Sequence, residues 1–295
     1  MRIKESKGER IFNVINYILF TVFGFLTLFP FVNLIAKSFS SEAAVVSGMV
    51  TLLPIDFQTG TYKFVLGNKQ FMNSFIVTIV ITALGTLFGI IMTVITAYPL
   101  SKPRLRGRKI YLLIFIFTML FNGGLIPTYL VMQKIKLVNK IWVLILPAMV
   151  NVFNMLIMKN YFESLPESIE ESAKIDGASD FTILFRVILP LSMPVLATIT
   201  LFFAVAHWNS YFNAMMYITN PKLKPLQLYL KELVTSTMDV LKQGGFNPDI
   251  ESQLNVVPEA VQAASIVTAT VPILCVYPFL QKYFVKGVLI GSVKG

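Results

Sequence analysis

The polar residues with the clearest chemical potential interrupt a long apolar stretch. His207, Trp208, Asn209, Tyr211 and Asn213 crowd into a run, residues 192–218, that is otherwise largely apolar. Aromatic faces flanked by amide groups suit sugar rings, which combine apolar C–H faces with hydroxyl groups. On one continuous helix His207 and Tyr211 share a face, and Asn209 and Asn213 lie on the next. Interhelical hydrogen bonding explains such residues equally well, so both roles stay open.

Two asparagines in other apolar stretches are predicted to extend the same cavity. Asn122 and Asn154 fall in the third and fourth apolar runs of the chain. Polar side chains inside membrane spans usually face the bundle interior or a wet cavity. We therefore include both among the candidate substrate-cavity residues.

The ionisable residues argue against catalysis by this chain. His207 is the only histidine and Cys275 the only cysteine, so no histidine-rich metal centre and no intrachain disulfide can form. No acidic residue lies near His207 in sequence, and no GxxxxGK[ST] phosphate loop occurs. We expect a chain that is not an enzyme, holds no metal and binds no cofactor. If ATP drives its work, another polypeptide hydrolyses the ATP.

A polar segment, residues 160–191, separates two apolar stretches and holds the densest acidic run. Pro166 suits the start of a short helix, and the acidic residues that follow favour the positive end of its dipole. They are Glu167, Glu170 and Glu171.

The same segment carries signals for a helix end and a second helix. Asp176 and Gly177 are predicted to stop the first helix, with Gly177 in the left-handed conformation. Ser179 can cap a second amphipathic segment, which runs to Leu189 and Pro190. The result is a short helix held across the inner face of a membrane, a shape that can transmit force.

The composition predicts a membrane protein. Of the 295 residues 55% are hydrophobic and only 14% are charged, whereas soluble domains carry roughly 25% charged residues. Six apolar stretches are long enough to span a bilayer. They are residues 11–36, 72–100, 110–132, 141–159, 192–218 and 263–281.

The charge distribution predicts how these spans are oriented. Basic residues precede the first span, and residues 101–109 carry five more, so these segments and both termini are expected inside. This placement explains the net charge of +10 through contact with membrane lipid, without a nucleic-acid partner. Several spans contain proline or a Gly123-Gly124 pair, which predicts either ordinary kinks or breaks that line a cavity.

Residues 171–190 resemble the EAA loop of ABC-importer permeases. Glu171, Ala173, Gly177, Leu189 and Pro190 match that motif. Ser172 replaces the alanine at its second position, and Val187 replaces its isoleucine. The stretches AYPLSKPRLRGRK, FNGGLIPTYL, AHWNSYFNAMMY and YPFLQKYFVKGVLIGSVKG extend the likeness, which is greatest to the MalG-type carbohydrate permeases and their LplC/YtcP branch.

The resemblance implies a fold, a location and partners. The fold is all-α, a six-helix type I importer domain over residues 1–295, with a core of about 72–281 and a coupling loop of about 160–191. It lies in the bacterial inner membrane. The partners are a second related permease, two ATP-binding-cassette subunits that carry ATP and magnesium, and an extracytoplasmic sugar-binding protein. The coupling residues are Glu170, Glu171, Ala173, Asp176, Gly177, Leu189 and Pro190.

The resemblance also gives the C-terminal residues a role. The tail, residues 282–295, is expected to reach the ATPase interface through Lys286, Gly287 and Lys294. A solvated basic tail is the alternative. For the whole chain, the expected function is ATP-driven uptake of oligosaccharides, with complex or uronate-containing sugars favoured. A secondary transporter and a non-transporting membrane anchor are the alternatives.

Overall fold

The structure, a computed structural model, describes residues 6–242 and 258–291. Within those residues every regular element is helical and no β-strand occurs, which confirms the predicted all-α class. The α-helices are α1 (Lys7–Ser38), α2 (Glu42–Val46), α3 (Gly60–Gly67), α4 (Lys69–Ser101), α5 (Arg108–Leu120), α6 (Leu125–Lys134), α7 (Val152–Ser164), α8 (Glu167–Ile175), α9 (Asp180–Ile183), α10 (Leu189–Leu191), α11 (Met193–Trp208), α12 (Phe212–Tyr217), α13 (Leu226–Lys242) and α14 (Pro258–Gly291). Shorter turns are 3-10 helices at Ile141–Leu144, Leu146–Ala148 and Pro221–Leu223, and a π-helix at Leu184–Ile188.

The first compact unit contains residues up to Lys69 and the described residues among 232–270. Its helix α1 begins with a capping box, in which the Ser6 hydroxyl accepts from the Glu9 N–H and the Glu9 carboxylate accepts from the Ser6 N–H. A small apolar core closes the far end of α1. Its buried members are Ala36, Ala44, Val45, Val50 and Ala260.

Helix α1 is apolar on all sides. The mean hydropathy of its most apolar window is 2.2, and none of that window is buried. Its 32 residues reach about 48 Å at 1.5 Å per residue, more than the roughly 30 Å of a bilayer core. A helix of this kind is stable only where lipid or another protein covers it.

The second compact unit contains residues 70–231 and the described residues from Val271 onward. Two apolar clusters form its core. One is built around Tyr98, Met155, Met158, Phe162, Ile183, Ile188 and Phe203. The other is built around Val77, Ile81, Val143, Ile145, Tyr217 and Leu228.

Two glycines let α4 and α11 approach closely. A Cβ atom built on Gly85 would lie 2.6 Å from Cε1 of His207, and one on Gly89 would lie 2.7 Å from Cε1 of Phe203. Gly85 and Gly89 are four residues apart, as are Phe203 and His207, so two small positions on one helix receive two rings from the other.

Three helices are long and apolar enough to span a membrane, and three bent helix pairs raise the number to six if each pair is one span. This agrees with the predicted six stretches. Helices α5 and α6 meet at 111°, residues 141–148 meet α7 at 43°, and residues 180–191 meet α11 at 83°. Gly124, at φ +88°, lies in the first of these breaks. The placement of both termini inside stays a prediction.

Two segments that lie between predicted spans contain helices. Residues 37–71 include α2 and α3, and residues 219–262 include all of α13. Pro225 directly precedes α13, where proline favours a helix start rather than a loop. Leu226 and Leu230, four residues apart, are buried on its inner side.

Candidate functional site

The helix α8 has the ends that the sequence predicts. Pro166 precedes it, and Glu167 and Glu170 lie in its first turn. Gly177 has φ +79°. The Gly177 N–H donates to Lys174 O and the Ala178 N–H donates to Ala173 O, both at 3.0 Å, which forms a Schellman motif. The predicted left-handed glycine stop is confirmed.

The segment after this stop is helical but irregular. The Ser179 hydroxyl accepts a hydrogen bond from the Thr182 N–H at 3.3 Å, as predicted for a cap. A π-helical turn then occupies Leu184–Ile188. Pro190 and Pro194 have no N–H to donate, so the helix cannot continue straight and bends by 83° at Ser192.

The basic loop, residues 101–109, binds the acidic segment through ion pairs. Lys102 and Glu170 have side-chain exposures of 16% and 10%, and Arg104 Nη2 lies 2.7 Å from Asp180 Oδ1. The bond to Asp180 raises the pKa of Arg104 above its ordinary value. We call the three pairs the bracket. It consists of Lys102–Glu170, Arg104–Asp180 and Arg108–Glu163.

The ion pairs of the bracket give the basic loop a structural role that its sequence alone does not predict. Lys and Arg residues in inner loops usually fix the orientation of a protein in the membrane. From this pattern alone we expect the basic loop to contact lipid headgroups. In the structure Arg108 is further fixed by Nε, which donates to Leu100 O at 2.7 Å. Because the loop continues directly from α4, the bracket joins α4 mechanically to α8 and α9.

The predicted coupling residues divide between an inner and an outer side. Glu170 is buried in the bracket, and Ala173 and Leu189 pack against the core. The others are exposed. They are Glu171, Asp176, Gly177 and Pro190.

Two exposed apolar residues belong to the same outer side and were not predicted as coupling residues. Ile175 is 85% exposed and Phe181 is 77% exposed. Large apolar side chains presented this openly beside a charged turn are typical of a protein interface. Ile175 lies two residues before the predicted helix stop at Gly177. Its position beside this stop is the sequence signal that could have identified it as a coupling residue.

The polar residues of the fifth span are not on one helix. His207 is 6% exposed and packs on Gly85, and Trp208 packs edge-on to Phe75. Helix α11 ends at Trp208, and α12 begins at Phe212. The expectation that His207 and Tyr211 share a helical face is therefore wrong, because the chain breaks between them.

The remaining cavity candidates occupy different surroundings. Asn209 is the C-cap residue of α11, and it is exposed, as are Tyr211 and Asn213. Asn154 is 4% exposed in α7. The Asn122 amide oxygen accepts from the Gly124 N–H at 3.0 Å. In the described chain no hydrogen bond joins Asn122 or Asn154 to His207, and their shared role in a cavity stays a prediction.

The predicted tail contacts fall at the end of α14. This helix runs to Gly291, so residues 282–291 continue the last helix. Lys286 and Gly287 lie in it, and Lys294 lies outside the described residues. The described part of the chain also holds no group of three His, Cys, Asp or Glu residues that could bind a metal.

A second polar surface lies at the other end of α4. The Asn139 N–H donates to Tyr217 O at 2.8 Å, and Asn139 Oδ1 accepts from the N–H groups of Thr219 and Asn220. Asn73 Nδ2, near the start of α4, donates to Lys222 O at 2.8 Å. The Asn139 bonds fix residues 134–140 against residues 217–220, and the Asn73 bond holds the start of α4 to Lys222.

Lysines dominate that surface. Lys136, Lys140 and Lys222 are exposed, and in the described residues none forms an ion pair. All carboxylates of residues 70–231 belong to residues 160–191. The bracket holds that segment at the opposite end of α4, about 45 Å from these lysines at 1.5 Å per residue. We call Lys136, Lys140 and Lys222 the lysine platform.

Comparisons with known proteins agree with this architecture. Residues 85–290 match the family model described as binding-protein-dependent transport system inner membrane component. Protein LplC of Bacillus subtilis is 44% identical over 99% of this chain and 97% of its own length. The polygalacturonan/rhamnogalacturonan transport system permease protein YtcP of the same organism is 40% identical, over 97% and 99%.

A solved structure gives the same result. It is a bacterial ABC transporter involved in the import of the acidic polysaccharide alginate. One of its chains is 39% identical and superposes with a TM-score of 0.89, covering 96% of this chain and 99% of that one.

Proposed function

Because the chain belongs to the family of binding-protein-dependent transport system inner membrane components, we propose that it is one permease subunit of an ATP-driven oligosaccharide importer that works by alternating access. It is a multi-pass protein of the bacterial inner membrane. ATP and magnesium bind to two partner ATPase subunits, and a second permease completes the pathway. A sugar-binding protein delivers the substrate from outside.

The observation that carries this proposal is the bracketed helix α8. Its Schellman stop and its ion pair to Lys102 of the basic loop hold α8 firmly in place. Glu171 and Ile175 are exposed on it, and Phe181 is exposed beside it. A surface of that kind can receive a push from an ATPase and pass it to α4 through Lys102. In this arrangement α8 and both termini are cytoplasmic.

Acidic oligosaccharides are the substrate class that the similar proteins and the lysine platform favour. Two similar proteins carry names that refer to polygalacturonan/rhamnogalacturonan and to the acidic polysaccharide alginate. The lysine platform supports the same class, because it places positive charge at the end of α4 remote from the coupling helix. A positive surface raises the local concentration of an anionic substrate.

Reconstitution with the subunits that co-purify tests the function. Vesicles that hold the purified complex should accumulate uronate oligosaccharides only with ATP inside and binding protein outside. Uptake that follows an ion gradient and ignores ATP would favour a secondary transporter. Absence of uptake for every sugar, with an intact complex, would favour a non-transporting anchor.

A further inference from the structure

A cavity of about 500 Å³ opens between the end of α4, the basic loop and α9. Its volume lies within the range of about 300–1,000 Å³ that is usual for ligand sites. Most of its wall is apolar. The apolar residues are Ile95, Pro99, Leu105, Phe181 and Leu184.

One buried polar group in this wall lacks a partner. Tyr98 lines the cavity and is only 7% exposed, and its hydroxyl has no hydrogen-bond partner within the described chain. The hydroxyl oxygen is closed to solvent as well, so Tyr98 contributes to the cavity wall without offering a donor to a ligand. The Lys102 Nζ lies 4.5 Å from the centre of the Tyr98 ring, which keeps positive charge beside this hydroxyl-bearing side chain.

The rim of the cavity is basic. Lys102, Arg104 and Arg106 line it, against the single carboxylate of Asp180. Lys102 and Arg104 already pair with acidic residues of the bracket. Arg106 is exposed and has no carboxylate partner among the residues that the structure describes. An anion with an apolar body would match this combination of rim and wall.

We propose that the cavity is a binding site for one anionic phospholipid. The acyl chains lie along Ile95 and Leu184, and the phosphate pairs with Arg106. The site lies at the end of the membrane-spanning helix α4, beside the basic loop whose sequence predicts contact with lipid headgroups. A soluble phosphate would leave the apolar wall uncovered, which is why we favour a lipid.

The position of the site gives the lipid a consequence. Its wall is shared by α4, through Ile95 and Tyr98, and by α9, through Phe181. A bound lipid therefore packs against α4 and α9, which the Arg104–Asp180 pair connects through the basic loop. The lipid thereby stabilises, from the membrane side, the connection between α4 and the coupling loop, residues 160–191.

Native mass spectrometry of the complete transporter tests the proposal. The purified complex in mild detergent is titrated with dioleoyl phosphatidylglycerol, dioleoyl phosphatidylcholine and inorganic phosphate. We expect one phosphatidylglycerol to be retained and neither phosphatidylcholine nor phosphate to displace it. Arg106→Gln should weaken its retention by about fivefold, as expected for one basic group at a lipid surface.

The matched control is Lys109→Gln, because Lys109 is exposed in the same loop but does not line the cavity. Equal losses in Arg106→Gln and Lys109→Gln would overturn the proposal in favour of diffuse charge attraction. Equal retention of phosphatidylcholine would overturn the anionic requirement. Displacement of the lipid by inorganic phosphate would overturn the lipid proposal and show that the cavity binds small anions.

A second pair of variants tests the apolar wall. Ile95 is 53% exposed and lines the cavity, whereas Ile91 is 41% exposed one turn earlier and does not. Ile95→Trp should fill the cavity and abolish lipid retention while the thermal unfolding midpoint is unchanged. Ile91→Trp should retain the lipid. Wild-type retention in Ile95→Trp contradicts the site, whatever the transport activity of the complex.

Discussion

Lys102 and Glu170 form an ion pair that connects the end of α4 to the first turn of α8, and both side chains are largely withdrawn from solvent. The two residues are 68 positions apart in sequence. Lys102 also lies over the ring of Tyr98, which belongs to the apolar core beneath it. The pair therefore fixes α8 to the residue that directly follows α4.

Removal of the Glu170 charge should destabilise the transporter. Glu170→Gln leaves the Lys102 ammonium partly buried without its partner, and we expect a loss of about 1–3 kcal/mol in the free energy of unfolding. The thermal unfolding midpoint of the purified complex measures it. Asp180→Asn is the matched control, because the Arg104–Asp180 pair is more than half exposed and such pairs contribute less than about 1 kcal/mol.

Charge reversal at both residues distinguishes the effect of the Lys102–Glu170 ion pair from the effects of other contacts that either residue makes. Lys102→Glu with Glu170→Lys should recover a substantial part of the stability that either single reversal loses. It should also recover the coupling between ATP hydrolysis and uptake. Additive losses in the double variant would mean that each residue acts through other contacts and that the pair joins nothing.

The glycine at the end of α8 should tolerate asparagine and not valine. Gly177 has φ +79°, and nothing lies within 4 Å of a Cβ built there. The cost of Gly177→Val is thus strain of the backbone, since β-branched residues resist the left-handed region, while asparagine visits it readily. We expect Gly177→Val to hydrolyse ATP with little uptake in reconstituted vesicles, and Gly177→Asn to retain coupling. Equal uptake by both variants, at equal expression, would reject this role for the stop.

The coupling segment was predictable because its signals are local. The glycine stop at Gly177 and the serine cap at Ser179 each act within a few residues, and both are present in the structure. The bracket was not predictable, because no local pattern relates Lys102 to Glu170. Basic residues near a membrane have a sufficient explanation in topology alone, which hides any additional pairing.

The interior of the bundle was predicted less well, for a similar reason. The sequence marks His207 and Tyr211 as polar residues in an apolar run, but no proline or glycine signals the break that separates them. The contact of His207 with Gly85 depends on how two distant helices pack. Side-chain periodicity cannot give that information, because it assumes a continuous helix.

The exposed side of α8 should control association with the ATPase. Glu171→Lys reverses a charge there, and Ile175→Ser removes the most exposed apolar side chain of the helix, which is 85% accessible. We expect both variants to lower the amount of ATPase that co-purifies, with an unchanged unfolding midpoint of the permease. Lys63→Glu, an exposed charge reversal on α3, serves as the control. Undiminished ATPase recovery in both variants would place the interface elsewhere.

The lysine platform should affect uptake of charged sugars more than of neutral ones. Lys136→Gln with Lys222→Gln removes two positive charges and leaves the Asn139 hydrogen bonds in place. We expect slower uptake of uronate oligosaccharides at low salt, with the difference from wild type shrinking as ionic strength rises. Lys63→Gln provides a control at an exposed lysine outside the platform. An equal reduction for neutral oligosaccharides would contradict an electrostatic role.

The contact between α4 and α11 should be sensitive to a single methyl group. A Cβ on Gly89 would lie 2.7 Å from Phe203, whose ring is 3% exposed in the core and cannot move aside freely. We expect Gly89→Ala to cost about 1–3 kcal/mol in the free energy of unfolding, as overpacking usually does. Gly24→Ala is the control, because nothing lies within 4 Å of that position in α1. Adding Phe203→Leu to Gly89→Ala should restore part of the loss, since the smaller side chain leaves room for the methyl group, and no recovery would show that the contact is not the cause.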